Sequence, residues 1–242
     1  MVQMYPEKVK ALSDRALDWL GTAPINNIKE ASQAARALCI HGRDPGSSLA
    51  WLERARSGDH WEEDNPVRNT ARACTAFLEC GIPCRESLDW LLEIQSVNGS
   101  WNNDVYDTCY CLVAMGAAGK ANRTGVQWLL DNFSEDWKHP GVIALINSAL
   151  IRQDPKGTAG ITGRNSTWLL GQRTDDHWNY TATSCLVVQS LILDGHSMNV
   201  VGSVDWLLDR LDESEDTGWN ISVVSLVLVT LTMYYSYNTG RT

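Results

Sequence analysis

The sequence predicts an all-α fold, an (α/α)6 toroid in which six helical hairpins form an inner and an outer ring of six helices, as a single domain over residues 1–242. The first observation behind this prediction is that all eleven tryptophans of the 242-residue chain follow one repeat of about 38 residues. The second is that each repeat contains two helical segments, one amphipathic and one apolar nearly all round. Repeats of this length are typical of arrays in which each unit buries its apolar face against the next.

The first helix of each unit carries a tryptophan followed by a leucine. These tryptophans recur at intervals of 32 to 40 residues, at Trp19, Trp51, Trp90, Trp128, Trp168 and Trp206. Charged residues surround them, as in "SLDWLLEIQS", so we expect these helices to be amphipathic and to form the outer ring. A second tryptophan follows a polar turn in five units, at Trp61, Trp101, Trp137, Trp178 and Trp219.

The second helix of each unit is rich in Ala, Leu, Val, Ser and Cys. These segments cover residues 30–42, 69–81, 107–119, 142–154, 183–195 and 222–235. Four of them end at glycine, which is typical of a helix C-terminus. Their low polar content predicts the inner ring. Because neither terminal unit has a polar face that would cap an open array, we expect the ring to be closed.

The composition excludes two classes of protein. With 20 Lys and Arg against 29 Asp and Glu, the net charge of −9 opposes nucleic-acid binding, which depends on neutralising phosphates. The longest apolar run, residues 223–235, is shorter than the ~20 residues of a transmembrane helix, so we expect no membrane span.

The N-terminal segment has no secretory or transit character, which predicts a cytoplasmic protein with seven reduced and mostly buried cysteines.

The third unit carries the most specific motifs. Gln95, Gly99 and Trp101 in "QSVNGSW" match a Q-x-x-x-G-x-W turn, and the segment "DVYDTCYCL" follows. With these residues the chain resembles the terpenoid cyclase and protein prenyltransferase superfamily, whose repeat builds α/α toroids and is shared with the squalene-hopene cyclases. The resemblance implies an isoprenoid-handling enzyme, similar to a cyclase or a prenyltransferase, that acts on a prenyl diphosphate or a related polyprenyl substrate.

Two motifs of that superfamily are incomplete in this chain. Asp104, Asp107 and Thr108 match the D-x-D-D-T motif of class II cyclases, but Tyr106 replaces the middle acid, and a phenol is far too weak to protonate an alkene. The protein prenyltransferases bind zinc through Asp, Cys and His, and the aligned residues here are Asn69, Ala71 and Asp107. The sequence therefore predicts a divergent member without a zinc site.

Polar residues cluster at the start of three consecutive inner helices. Because the inner helices of identical hairpins run parallel, their positive N-terminal ends share one mouth of the ring, where an anion such as a diphosphate would bind. Such a cluster would also hold a Mg²⁺, with an apolar cavity behind it for the prenyl chain. The predicted catalytic residues are Asp107 and Asp104, and the predicted substrate-binding residues are Arg72, Arg68, Tyr110, Asn69 and Glu30.

The same residues also have a purely structural interpretation. Asp104 is a candidate N-cap, and Asp107 is a candidate acid of a capping box. On this interpretation the toroid is a non-catalytic module that binds a lipid or a protein, or a subunit that acts with a helical partner subunit. The two functions differ in the lumen, because an isoprenoid or lipid ligand needs a cavity of roughly 300 to 1,000 Å³, whereas a scaffold fills its ring with side chains.

Overall fold

Twelve α-helices alternate between an outer and an inner ring in the computed structural model, which describes residues 6–238. The outer helices are α1 (Glu7–Leu20), α3 (Gly46–Ala55), α5 (Arg85–Glu93), α7 (Arg123–Asp131), α9 (Ala159–Gly171) and α11 (Val201–Thr217). The inner helices are α2 (Ile28–Ile40), α4 (Pro66–Glu79), α6 (Val105–Ala117), α8 (Pro140–Gln153), α10 (Thr181–Leu193) and α12 (Ile221–Asn238). The described residues contain no β-strand. The predicted domain limits and the first residues of the N-terminal segment lie outside the described part.

The inner helices form a closed ring. Each packs against the next in chain order, from α2 through α4, α6, α8 and α10 to α12, and α12 packs back against α2. The outer helices pack on this ring, most of them across two successive inner helices. A closed ring buries the apolar flank of every unit, including the first and the last. The predicted toroid is therefore confirmed.

His41 connects the two inner helices that close the ring. It follows α2, and its Nε2 lies 3.2 Å from the carbonyl oxygen of Leu228 and 2.8 Å from Oγ1 of Thr232, both on α12. Burial lowers the pKa of His41 below its ordinary value of 6.5, although the Leu228 carbonyl favours the protonated ring. The contact between the first and last inner helices therefore contains a titratable group whose neutral form the fold favours.

Buried tryptophans tie each polar turn to the outer helix that precedes it. The indole Nε1 of Trp101 donates a hydrogen bond of 2.7 Å to the carbonyl of Leu91, the residue directly after the outer-helix tryptophan. Two other units repeat this bond at the same position, Trp61 with Leu52 at 2.8 Å and Trp178 with Leu169 at 2.7 Å. All three rings are buried. In these three units, the two tryptophans that recur in the sequence therefore mark the same hydrogen bond between the polar turn and the preceding outer helix.

The backbone of the same tryptophans binds the inner helix that follows. The N–H of Trp101 donates to Oγ1 of Thr108, and the N–H of Trp61 donates to Oγ1 of Thr70, each at 3.1 Å. Ser184 accepts the equivalent bond from Trp178 at 2.9 Å. Thr70, Thr108 and Ser184 thus occupy equivalent positions in three units of the repeat. Thr108, the threonine of the cyclase-like motif, has a structural role that the repeat explains.

The Q-x-x-x-G-x-W turn is also held by its own residues. The side-chain amide of Gln95 donates to the Gly99 carbonyl at 2.6 Å and to Oδ1 of Asn122 at 3.1 Å. Gly99 has a φ of +94°, and a Cβ there would overlap the carbonyl group of Thr124 at the start of α7. The motif therefore fixes the turn against the next outer helix.

One expectation about the cysteines is wrong. Cys39 of α2 and Cys80, which follows α4, form a disulfide between the C-terminal ends of two neighbouring inner helices. The reduced and buried state is confirmed for the other five, Cys74, Cys84, Cys109, Cys111 and Cys185. The two bonded cysteines are 41 residues apart in the sequence, close to one repeat, so they lie on neighbouring inner helices that pack side by side.

Within residues 6–238, no helix combines the length and the apolar character needed to cross a bilayer.

We expect Trp101→Phe to lower the free energy of unfolding by about 1–3 kcal/mol, because it leaves the Leu91 carbonyl without its indole donor in a buried site. Urea denaturation followed by circular dichroism measures this change. Trp137→Phe is the matched control, since the described part of the chain offers no hydrogen-bond partner to that indole, and its effect should be less than half as large. Equal losses in the two variants would contradict a special role for the repeated bond.

Stability should depend on pH through His41. Because the folded state lowers the pKa of His41, the unfolded chain binds the proton more readily, so the contribution of His41 to stability is complete above pH 6.5 and is lost as the pH falls through the folded pKa. In His41→Gln the free energy of unfolding should decline less between pH 7.5 and pH 5. The exposed His139→Gln is the control and should keep the native slope. The same slope in His41→Gln and the native chain would exclude this role.

Candidate functional site

A cavity of about 420 Å³ opens at the N-terminal ends of the inner helices α4, α6, α8 and α10. The first two turns of these helices provide much of its wall, including Arg68, Tyr106, Val142 and Thr183. Because four inner helices begin at this one opening, their unpaired N–H groups and positive dipole ends are directed towards it. This mouth cavity is the opening that the parallel arrangement of the hairpins predicts.

A second cavity of about 200 Å³ occupies the lumen and is lined by residues from all six inner helices. It extends from Ala182 near the start of α10 to Leu193 at its end, or roughly 16 Å along the helix axis at 1.5 Å per residue. Leu145, Leu186 and Leu226 lie on the side of α8, α10 and α12. The α2 and α4 side contributes mainly polar residues, namely Lys29, Ser32, Gln33, Arg36, Arg72 and Thr75. The predicted apolar cavity is therefore present, with its polar lining residues concentrated on the side of α2 and α4.

Arg72 and Tyr110 stand where the two cavities meet, because both residues line the mouth cavity and the lumen. The guanidinium carbon of Arg72 lies 4.6 Å from the centre of the Tyr110 ring, which holds the cation over the aromatic face. Its Nη1 also donates a long bond of 3.4 Å to Oδ1 of Asn69. Among the described residues, no carboxylate pairs with Arg72. A guanidinium placed in this way has donors available for the oxygens of an anion.

Unlike Arg72, Arg68 pairs with two carboxylates, which compensate its charge. Its Nε donates to Asp107 at 2.7 Å, and its Nη2 donates to Asp104 at 2.9 Å. The buried Asp107 also accepts bonds from the side-chain amides of Asn65, at 3.1 Å to each oxygen, and Asn102, at 2.9 Å. These five residues form the Arg68 cluster. A buried charge is tolerated when it is paired and hydrogen-bonded in this way, so the cluster holds α4 against α6.

The capping interpretation is confirmed for Asp104, the N-cap of α6, whose Oδ1 accepts the N–H of Asp107 at 2.8 Å. The side chain of Asp107 binds Arg68 and does not complete a capping box. Neither carboxylate lines the mouth cavity or the lumen. The catalytic role of Asp104 and Asp107 therefore stays a prediction, whereas their contacts show that they position Arg68 at the edge of the mouth cavity.

The two remaining predicted binding residues do not join this cluster. Asn69 is buried, donates to the carbonyl of Glu63 and accepts from Arg72, so it holds Arg72 rather than the cavity wall. Glu30 accepts from the backbone and the side chain of Asn26, at 3.0 and 3.2 Å, and so stabilises the start of α2. Their predicted contact with a substrate head group stays a prediction.

The polar residues at the mouth do not by themselves form a Mg²⁺ site in this arrangement. Among residues 6–238, no three or more His, Cys, Asp and Glu side chains are grouped so that they would hold a metal ion. The oxygens of Asp107 accept bonds from an arginine and two asparagines, which occupy the directions that a metal needs. A Mg²⁺ that arrives with a diphosphate stays a prediction.

Sequence reasoning missed the charged residues deeper in the lumen. Arg36 and Arg152 line it at the C-terminal ends of α2 and α8, and both lie close to Glu79, the last residue of α4. A signal was present, since Lys29 and Arg36 are seven residues apart and so share one face of α2. Tyr106 was likewise considered only as a missing acid, although it lines the mouth cavity beneath the guanidinium of Arg68, 5.2 Å from its ring centre.

No protein-family profile matches the sequence, and no curated protein matches it either. Among solved structures, the chain is similar to ent-copalyl diphosphate synthase from Streptomyces platensis, with a TM-score of 0.64 and 17% sequence identity over 88% of this chain. At this identity the similarity shows the shared all-α toroid fold. The chain spans half the length of that protein, since the alignment covers 50% of it.

The Arg68 cluster predicts strong coupling between Arg68 and Asp107. Arg68→Met should lower the free energy of unfolding by about 3–5 kcal/mol, because it leaves the buried Asp107 carboxylate without its cation. Adding Asp107→Asn should recover part of this loss, so that the double variant is more stable than the sum of the single variants by at least about 1 kcal/mol. Urea denaturation of the four proteins measures the coupling.

The exposed pair of Lys10 and Asp14, 2.7 Å apart on α1, is the control for this cycle. A pair of this kind should show a coupling of only about 0.3–0.5 kcal/mol. Coupling of the same small size between Arg68 and Asp107 would mean that the cluster does not hold α4 against α6.

Proposed function

We propose that this chain binds an amphipathic anion of the isoprenoid diphosphate class, with the diphosphate at the mouth cavity and the hydrocarbon chain in the lumen. The observation that carries this proposal is the position of Arg72 between the mouth cavity and the lumen. Its guanidinium has no carboxylate partner among the described residues and lies where the mouth cavity meets the lumen. A ligand bound there would have its charged and apolar ends on opposite sides of Arg72.

The head-group site combines one full charge with several partial charges. Arg72 supplies a cation that is free to form paired hydrogen bonds with phosphate oxygens. Arg68 lies one helical turn earlier on the same face of α4, where Asp104 and Asp107 compensate its charge, so it contributes position and N–H groups rather than net charge. The N-terminal ends of α4, α6, α8 and α10 add their helix dipoles.

The lumen, at about 200 Å³, is smaller than the roughly 300 to 1,000 Å³ of an ordinary ligand site, so it suits only the hydrocarbon end of a ligand whose head group occupies the adjoining mouth cavity of about 420 Å³. Its depth of roughly 16 Å along the inner helices accommodates an extended chain, and Leu145, Leu186 and Leu226 offer apolar contacts. A protein of the same fold, ent-copalyl diphosphate synthase, is named as the synthase of a diphosphate. This name supports the ligand class and leaves the reaction of this chain as a proposal.

Binding and chemistry are separate parts of this proposal. In the described arrangement Asp104 and Asp107 lie behind Arg68 and outside both cavities, which favours a binding domain over a complete catalytic site. A divergent cyclase or prenyltransferase would need these carboxylates, or groups of a helical partner subunit, to reach the ligand at the mouth. Product analysis by mass spectrometry after incubation with each diphosphate tests this second part.

Isothermal titration with geranyl, farnesyl and geranylgeranyl diphosphate, with and without Mg²⁺, tests the binding. We expect the native chain to bind at least one of them, and Arg72→Met to bind it at least tenfold more weakly, because it loses the unpaired guanidinium. Arg43→Met is the matched control, since Arg43 pairs with Asp14 at 2.9 Å and lines neither cavity. Failure of the native chain to bind, or equal binding by Arg72→Met, would overturn the proposal.

A further inference from the structure

The deep end of the lumen holds an ion-pair cluster of three residues, Arg36, Glu79 and Arg152, which we name the lower cluster. Nε of Arg36 lies 2.6 Å from Oε2 of Glu79, and Nη2 of Arg36 donates to Oε1 at 3.2 Å. Nη2 of Arg152 approaches the same Oε1 only to 3.6 Å. Arg36 lies on α2, Glu79 on α4 and Arg152 on α8, so the cluster reaches across the ring at the end where the inner helices terminate.

The lower cluster is short of one negative charge. Arg36 engages both oxygens of Glu79, and the described residues offer Arg152 no hydrogen bond beyond its distant contact with Glu79. Burial lowers the pKa of Arg152 below its ordinary value, and the nearby Arg36 lowers it further against the opposing effect of Glu79. For Arg36, the charge and hydrogen bonds of Glu79 outweigh the effect of burial and raise the pKa. Arg152 is thus a half-buried cation, with 28% of its side chain exposed, whose charge the protein compensates poorly.

Polar atoms without a protein partner lie on the same wall of the lumen. Oγ of Ser32 and Oε1 of Gln33 are buried and make no hydrogen bond in the structure. Both residues line the lumen on α2, about one turn before Arg36, and Ser32 is only 1% exposed. Buried polar groups are nearly always hydrogen-bonded, so two such atoms in the same cavity as the under-compensated Arg152 indicate that the lumen receives a polar group of a ligand.

Gly116 of α6 allows the backbone of Arg152 to pack close to α6 at the deep end of the lumen. A Cβ at Gly116 of α6 would lie 2.9 Å from Cβ of Arg152 and 3.1 Å from its carbonyl oxygen, closer than real side chains pack. The absence of a side chain at Gly116 therefore lets the end of α8 lie directly against α6. This packing fixes the backbone from which the Arg152 side chain enters the lumen.

We propose that the lower cluster is a second anion subsite, in which Arg152 binds a carboxylate at the far end of the ligand while Arg36 stays paired with Glu79. The inference rests on the proposed function, because it assigns an acidic group to each end of the same isoprenoid ligand. A carboxylate there gives Arg152 the paired acceptors it lacks and brings the cluster to neutrality. Ser32 and Gln33 offer further hydrogen bonds along the wall that leads to it.

The spacing of the two arginines selects the length of such a ligand. Arg72 is the seventh residue of α4, and Arg152 is the thirteenth residue of α8. Since these inner helices begin at the same mouth, the two positions differ by about six residues of helical rise, or roughly 9 Å along the ring axis. This distance favours a short prenyl chain, of geranyl rather than geranylgeranyl length, when both ends are bound.

The test compares geranyl diphosphate with its ω-carboxy derivative, in which a terminal methyl group is replaced by a carboxylate, by isothermal titration. We expect the native chain to bind the ω-carboxy compound at least tenfold more tightly. Arg152→Met should remove this advantage, so that the two compounds bind to it with affinities within twofold of each other, whereas Arg152→Lys should keep part of the advantage. Arg43→Met should behave as the native chain, and circular dichroism checks that each variant is folded.

The outcomes separate this inference from the proposed function. If geranyl diphosphate binds but the ω-carboxy compound binds no better, or keeps its advantage in Arg152→Met, the second subsite is excluded and the proposed function stands. If the native chain binds no isoprenoid diphosphate, with or without the carboxylate, the proposed function fails and this inference fails with it. A tenfold advantage that depends on Arg152 alone supports both.

Discussion

The indole hydrogen bond of the turn tryptophans is the interaction on which the mouth of the ring depends, because it occurs in the units of α4, α6 and α10, three of the four inner helices that line the mouth cavity. It fastens the turn to the outer helix at a fixed residue, and the backbone N–H of the same tryptophan fastens it to a hydroxyl on the inner helix. Because Trp61, Trp101 and Trp178 repeat this pair of bonds, the inner helices of their units start at a common level. A shared mouth with converging helix N-termini follows from this local geometry.

The sequence was sufficient for the fold and insufficient for much of the site, for physical reasons. The tryptophan spacing and the apolar second helices predict a closed ring. Both are patterns of neighbouring residues inside one repeat, so they can be recognised without knowing how the repeats pack. The role of Asp107 depends instead on which side chain reaches it from α4, and Arg68 lies 39 residues away in the sequence. Sequence reasoning placed both residues in one arc but assigned them to a substrate. The Cys39–Cys80 bond and the Arg152 contact likewise depend on how neighbouring units pack.

The sign of the charge in the lumen opposes that of the whole chain. The net charge is −9, yet Lys29, Arg36, Arg72 and Arg152 line the lumen, with Glu79 as the acid close to them. The apolar residues Leu145, Leu186 and Leu226 lower the dielectric constant around these cations and so strengthen the positive potential in the lumen. An acidic exterior disfavours polyanions such as nucleic acids, while a small anion that fits the mouth meets a positive interior.

The contact of His41 with Leu228 joins residues 187 positions apart in the chain. During synthesis at about 5–20 residues per second, the flank of α2 that α12 finally covers is therefore exposed for roughly 10–40 s. A nascent chain in this state is an open array with one uncovered apolar edge, and contacts of such long range form late in folding. Closure of the ring thus leaves an apolar flank of α2 uncovered until α12 has been synthesised, although the ring formed by the described residues has no open end.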